Sequence, residues 1–164
     1  MKIFDFMALE IGEDKVIEQL ERRDVDAFEK FIKRYEFALQ SSPDEIKDVI
    51  HEFEKLFKDL NEILSVSDFQ IHRKALEEML DYGRKYKTEK ALPLSLDAIF
   101  CVVNNSKRSI DIQKMHGTNL REVRIGNKRW RLYFEPNDRK IVGFDYEHKT
   151  DNHRDVLEKL VKRI

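Results

Sequence analysis

The chain is poor in the residues that staple or punctuate a fold. Its 164 residues include one cysteine, Cys101, so no internal disulfide can form. Set within "AIFCVV", that cysteine reads as a small buried hydrophobe. Five glycines and three prolines are too scattered for a Gly-rich phosphate loop or a nucleophile elbow. The five histidines show no metal-ligand spacing, and "HRKALEEM" is not H-E-x-x-H. No metal and no cofactor are therefore expected. No run of about 18 apolar residues occurs, so no membrane-spanning helix is expected. The opening "MKIFDFMALEIGEDK" reaches acidic residues too early for a secretory signal, which makes the cytoplasm the expected location.

An excess of one charge is also missing, but only in the total. Lys and Arg number 31 against 32 Asp and Glu. Residues 1–100 hold 16 basic against 23 acidic residues, whereas residues 101–164 hold 15 against 9. An anionic partner is thus to be sought in the last third.

The apolar pattern of the first hundred residues is mostly helical. "KIFDFMAL" (2–9) reads as a short strand. Residues 13–40 carry apolar side chains at helical spacing, with an interruption near Arg23-Asp24. Ser42, Pro43 and Glu45 form the start signal of a further helix, and Ser67 with Gln70 forms another. These two helices read as an antiparallel hairpin over 42–88 within one domain spanning 1–164. In "ALPLSLDAIFCVVNN" periodicity leaves strand and helix both open.

The last third alternates like strands: Leu120–Ile125, Arg129–Glu135 and Lys140–His148, joined by "IGNK" and "EPND". A terminal helix follows, with Val156, Leu157, Leu160, Val161 and Ile164 expected to face inward. The expected fold is α+β, a small antiparallel sheet of about four strands packed against helices. Trp130, Leu132 and Phe134 fall on one face, grouped with Val142, Phe144 and Tyr146. Arg124, Arg129, Arg131 and Tyr133 fall on the other, among carboxylates. A solvated face laced with Arg–Glu pairs would look the same. The functional reading is an RNA or DNA phosphate site, with arginine forks on phosphate oxygens and Tyr133 stacked on a base. His116, His148 and His153, near the strand ends, are candidate proton donors or acceptors.

"LREVRI", "WRLYFEP", "KIVGFDYEHKT" and "DVLEKLVKRI" together resemble the RelE/HigB/ParE superfamily of bacterial toxins, closest to the phage-derived proteins allied with HigB. The resemblance covers about residues 114–164. It implies a type II toxin–antitoxin protein, most directly a metal-independent, ribosome-dependent mRNA endoribonuclease. An antitoxin and ribosome-bound mRNA would be its partners, and a homodimer is allowed. By position it implies catalytic roles for Arg124, Arg131, His148 and Lys149. Arg121, Arg129, Tyr133, His116 and His153 would bind RNA. Within the same superfamily stand gyrase inhibitors of the ParE kind, and a non-catalytic binding or regulatory protein of this fold is the other alternative. Two features depart from the pattern: extra helical sequence between 40 and 100, and a terminal helix without tyrosine.

Overall fold

A computed structural model describes residues 13–106, 111–127, 129–146 and 153–164. The segment 2–9 lies outside the described residues. The chain divides into two compact units, with the boundary after Glu62. The helices expected to form a hairpin over 42–88 belong largely to different units.

The first unit is helical. Helix α1 (Glu13–Arg22) ends where Arg23 adopts φ +53°. Asp24 then caps α2 (Val25–Gln40), its carboxylate accepting from the Ala27 N–H at 3.0 Å. The interruption read near Arg23-Asp24 is therefore a real break. Helix α3 (Asp44–Leu64) starts differently from expectation. The Ser42 hydroxyl donates backwards to the Ala38 carbonyl, closing α2, while the Pro43 carbonyl accepts from Ile46 and Lys47. Tyr35 and Ile50 form a buried apolar cluster, with Phe31, Ile32, Leu39 and Ile46 packed around them. This stripe holds α2 to α3.

The second unit is α+β. Its five strands are β1 (Gln70–Ile71), β2 (Asp111–Lys114), β3 (Arg121–Ile125), β4 (Trp130–Glu135) and β5 (Lys140–Tyr146). They lie in the order β1-β5-β4-β3-β2, an antiparallel meander with the short β1 added parallel to β5. Helices α4 (Arg73–Lys85), α5 (Ala91–Val103) and α6 (His153–Val161) complete the unit. Two strands, β1 and β2, were not read from the sequence. The helix expected to be capped by Ser67 is capped five residues later by His72, whose Nδ1 accepts from the Lys74 N–H. Before it, Gln70 and His72 donate to the carbonyls of Arg139 and Ile141, the ladder of a parallel strand. The open run 91–103 is a helix, with Pro93 in its first turn, where a missing N–H costs little.

Cross-strand pairing sorts the side chains by face. Trp130, Leu132 and Phe144 are buried together on one side, with Val123 beside Leu132. The burial of Trp130, 3% exposed, matches the register read from alternation. Alternation fails in β5. A bulge sets Tyr133 opposite Gly143 and Phe134 opposite Ile141, leaving Val142 as the extra residue. Ile141 therefore joins the Trp130 side. Val142 turns to the other, contrary to the grouping expected from strict alternation.

On that other side α6 covers half of the sheet. Met115, Leu120, Tyr133, Val142 and Leu160 form a buried cluster, with Val156 and Leu157 against it. Val161 and Ile164, expected to face inward, are each 47% exposed. The covering helix is clamped by one carboxylate. Glu78 of α4 accepts from the Phe144 N–H at 2.9 Å, from both Arg163 terminal nitrogens at 3.0 and 2.6 Å, and from Lys159 at 2.9 Å. Arg163 also donates to the Val142 carbonyl at 2.8 Å. Glycine at 143 suits this approach, because a Cβ there would stand 2.7 Å from Leu160 Cδ2 and force that side chain aside.

Arg163 and Glu78 are mostly buried, whereas Lys159 is half exposed. Replacing Glu78 by Ala should therefore leave a buried cation and a strand N–H unsatisfied, costing about 3–5 kcal/mol. Lys159→Ala should cost under about 1 kcal/mol. Urea unfolding followed by circular dichroism checks both. Equal losses for the two variants would show that the clamp is not centred on the carboxylate.

Candidate nucleic-acid interface

Four residues from four strands line up on the uncovered end of the sheet. Asp111 faces Arg124, Arg124 faces Arg131, and Arg131 faces Asp145. The adjoining row, Gln113, Glu122, Tyr133 and Gly143, leads toward the end beneath α6. Like charges set directly opposite each other repel. Here Glu122, 2% exposed, relieves the pair: Oε1 takes the Arg124 Nε–H at 2.6 Å and Oε2 takes Arg131 Nη1 at 2.9 Å. The i,i+2 spacing of a strand puts Glu122 and Arg124 on the same face, and the β3–β4 register brings Arg131 to both.

The two arginines are not equivalent. The Arg131 side chain is 12% exposed and also bonds to the Tyr133 hydroxyl. Arg124 is 29% exposed, and among the described residues only its Nε is engaged. Of the two guanidinium side chains, that of Arg124 is the more accessible. A guanidinium edge of this kind fits two oxygens of a phosphate.

Two tyrosines border the row. The Tyr82 hydroxyl donates to Asp145 Oδ1 at 2.5 Å, and the same oxygen accepts from the Tyr146 N–H. Burial first, and then the hydrogen bond and charge of Asp145, hold the Tyr82 phenol well above its ordinary value of 10.0. Burial raises Tyr133 in the same direction, reinforced by Glu122 and Asp145 and partly offset by Arg131. Both phenols are thus kept neutral, Tyr82 donating to Asp145 and Tyr133 accepting from Arg131.

The other sequence candidates are dispersed. Tyr133, expected on the solvated face as a stacking platform, is 3% exposed beneath α6 and has no face open to a base. Arg121 sits opposite Phe134, one residue out of phase with Glu122, and so belongs to the other face. Arg129 is exposed in the β3–β4 turn and donates to the Tyr146 hydroxyl at 3.2 Å. His116 is exposed in the β2–β3 turn, five residues along the chain from Asp111 and roughly 16 Å from it if extended. His153 opens α6, and its side chain lies outside what is described. His148 and Lys149 lie outside the described residues. Glu122, Asp145 and Tyr82 were not singled out from the sequence. For Glu122 the signal was present, an acid two residues from a strand arginine. Tyr82 and Asp145 are 63 residues apart and carry no local signal. Among the described residues, no group of three or more His, Cys, Asp or Glu could hold a metal ion.

A raised phenol contributes stability that is intact below the unfolded value and is lost as pH climbs toward the folded one. Unfolding free energy should therefore hold through pH 9 and fall as pH passes 10, as far as these phenols govern it. Tyr82→Phe should make that alkaline decline shallower, which urea midpoints at pH 8, 9, 10 and 11 would measure. A decline of undiminished steepness would remove Tyr82 from the account. No family model matches the chain, and neither a curated protein nor a solved structure matches it.

Proposed function

We propose that the chain is the toxin of a type II toxin–antitoxin pair and that it acts on messenger RNA at the ribosome, as its resemblance to the RelE/HigB proteins implies. The observation that carries this reading is the pairing of Arg124 with Arg131 across β3 and β4, with the Arg124 side chain 29% exposed. In support stands the order of elements, an antiparallel meander followed by a helix that returns onto the sheet.

The chemistry needs no metal. A base takes the proton of a ribose 2′-hydroxyl, whose oxygen bonds to the adjacent phosphorus. The P–O5′ bond breaks, leaving a 2′,3′-cyclic phosphate, and an acid returns a proton to the departing 5′ oxygen. Arg124 would hold the phosphate oxygens as negative charge grows on them. Arg131, fixed by Glu122 and Tyr133, would orient the row. The base and acid fall to His148 and Lys149 by the resemblance.

A second reading, binding without cleavage, is favoured by one observation. Glu122 already engages both guanidiniums, which reduces the charge offered to a transition state. Induced expression separates the two readings. With cleavage, wild type arrests growth and fragments mRNA, and Arg131→Ala and Arg124→Ala each relieve both effects. With binding alone, RNA stays intact, but Arg124→Ala weakens single-stranded RNA binding and lowers its log–log salt slope by about 0.7. Intact RNA together with unchanged binding in Arg124→Ala would dismiss the row as a functional site.

A further inference from the structure

The sheet ends at β2 on a side chain that its apolar face leaves half open. Cross-strand pairing sets Phe144, Leu132 and Val123 in one line across β5, β4 and β3, all of them fully buried. The next member of that line is Ile112 on β2, and it is 47% exposed. Gln113 and Lys114 after it are exposed as well.

The backbone of β2 is likewise used on one side. The Met115 N–H donates to the Leu120 carbonyl at 2.9 Å, which makes this a hydrogen-bonded pair of the antiparallel ladder. Such pairs recur at every second residue, so Gln113 with Glu122 and Asp111 with Arg124 are of the same kind. Ile112 and Lys114 therefore turn their N–H and C=O groups away from β3. Among the described residues no strand pairs with that side. An edge of this sort is a template for another strand.

The sequence of the edge is complementary to itself. Two copies of β2 related by a twofold axis run antiparallel, and residues directly opposite share a face. Ile112 must also meet a residue whose backbone groups point outward. Shifted one way, these conditions set Ile112 opposite Lys114. Shifted the other way, they set Asp111 opposite Asp111, where like charges repel. In the register between, the axis passes through Ile112. Each Ile112 then faces Ile112 of the partner subunit, and the apolar line of Val123, Leu132 and Phe144 runs on through the second sheet. On the other face Asp111 meets Gln113 of the partner subunit. Within one chain the Gln113 amide already donates to both Asp111 oxygens at 3.3 Å, so the same match is made across the axis. Lys114, a charge of the kind that discourages edge pairing, lies two residues from the axis and opposite none of the partner's β2 residues. We propose that β2 pairs with β2 of a second copy of this chain in this register, joining two sheets into one. The partner's Gln113 then stands beside Asp111 at the end of the arginine row.

The test uses the full-length protein without RNA. Sedimentation equilibrium from micromolar to millimolar concentration should show the mass rising toward twice that of the chain. Ile112→Lys, at an exposed position, sets two like charges on the axis and should leave only monomer, with an unchanged circular dichroism spectrum. Ile112→Cys should oxidise to a covalent dimer, because hydrogen-bonded partners about 5.5 Å apart at Cα lie within disulfide reach. Gln113→Cys, offset from its own copy by two residues, should not, and the wild type with its buried Cys101 is the control. Monomer across the whole range would leave the edge to a strand of another protein and overturn the proposal. So would a dimer that Ile112→Lys does not weaken, or cross-linking through position 113 in preference to 112. None of these readouts depends on RNA cleavage or growth arrest.

Discussion

A single buried carboxylate decides what the polar face of the sheet can be. Arg124 and Arg131 face each other on neighbouring strands, an arrangement that by itself would push the strands apart. Glu122 sits in the next row, 2% exposed, and gives one oxygen to each. A carboxylate so enclosed needs its cations as much as they need it, because an unpaired buried charge costs several kcal/mol. The three side chains behave as one unit with a single net positive charge. Its more accessible member is Arg124, 29% exposed against 12% for Arg131. The positive charge concentrated in the last third of the sequence is thus partly spent on the sheet's internal balance.

Glu78 performs a related task at the opposite edge. Beyond the two residues of β1, strand β5 would expose the Phe144 N–H, and α4 meets it with a side chain instead of a strand. The same carboxylate gathers Arg163 and Lys159 from α6 and the C-terminal residues that follow it, so α4, β5 and α6 converge on one acceptor. Bulge and glycine serve this convergence. Val142 is turned toward α6, its carbonyl is offered to Arg163, and Gly143 leaves the room for the guanidinium to arrive. Tyr133 is sealed under α6 as a consequence.

Much of this was legible in the sequence where a local rule governs. Period-two alternation in β3 and β4 gave the correct faces for Trp130 and Arg131, because one side of those strands is apolar apart from Arg121 at the start of β3. The helix break at Arg23-Asp24 was legible because a short acidic cap is a local signal. What escaped depends on distant partners. β1 is two residues long and exists only because β5 offers it a ladder. The bulge at Val142 depends on pairing with β4, and its one local hint in "KIVGFDY" is the isolated Gly143. The covering of Tyr133 requires the position of α6, and the neutralisation of two arginines requires a register between two strands. Alternation identified the face, and tertiary contacts decided how much of it stayed open.

The two sides of the sheet meet at the β3–β4 turn, and the alternation of β4 makes the turn a divide. Arg131 contributes to the charged row, while Trp130, its neighbour in sequence, is buried on the reverse side. Arg129, in the turn, is tied to Tyr146. Contacts to phosphate carry affinity without sequence information, whereas contacts to base edges carry the information. In this chain the paired guanidiniums lie on the face of Arg124 and Arg131, whereas the reverse face is closed over Trp130, 3% exposed and stacked on Phe144. The turn between the two strands carries Gly126 at φ +64°, a backbone conformation that glycine adopts without strain.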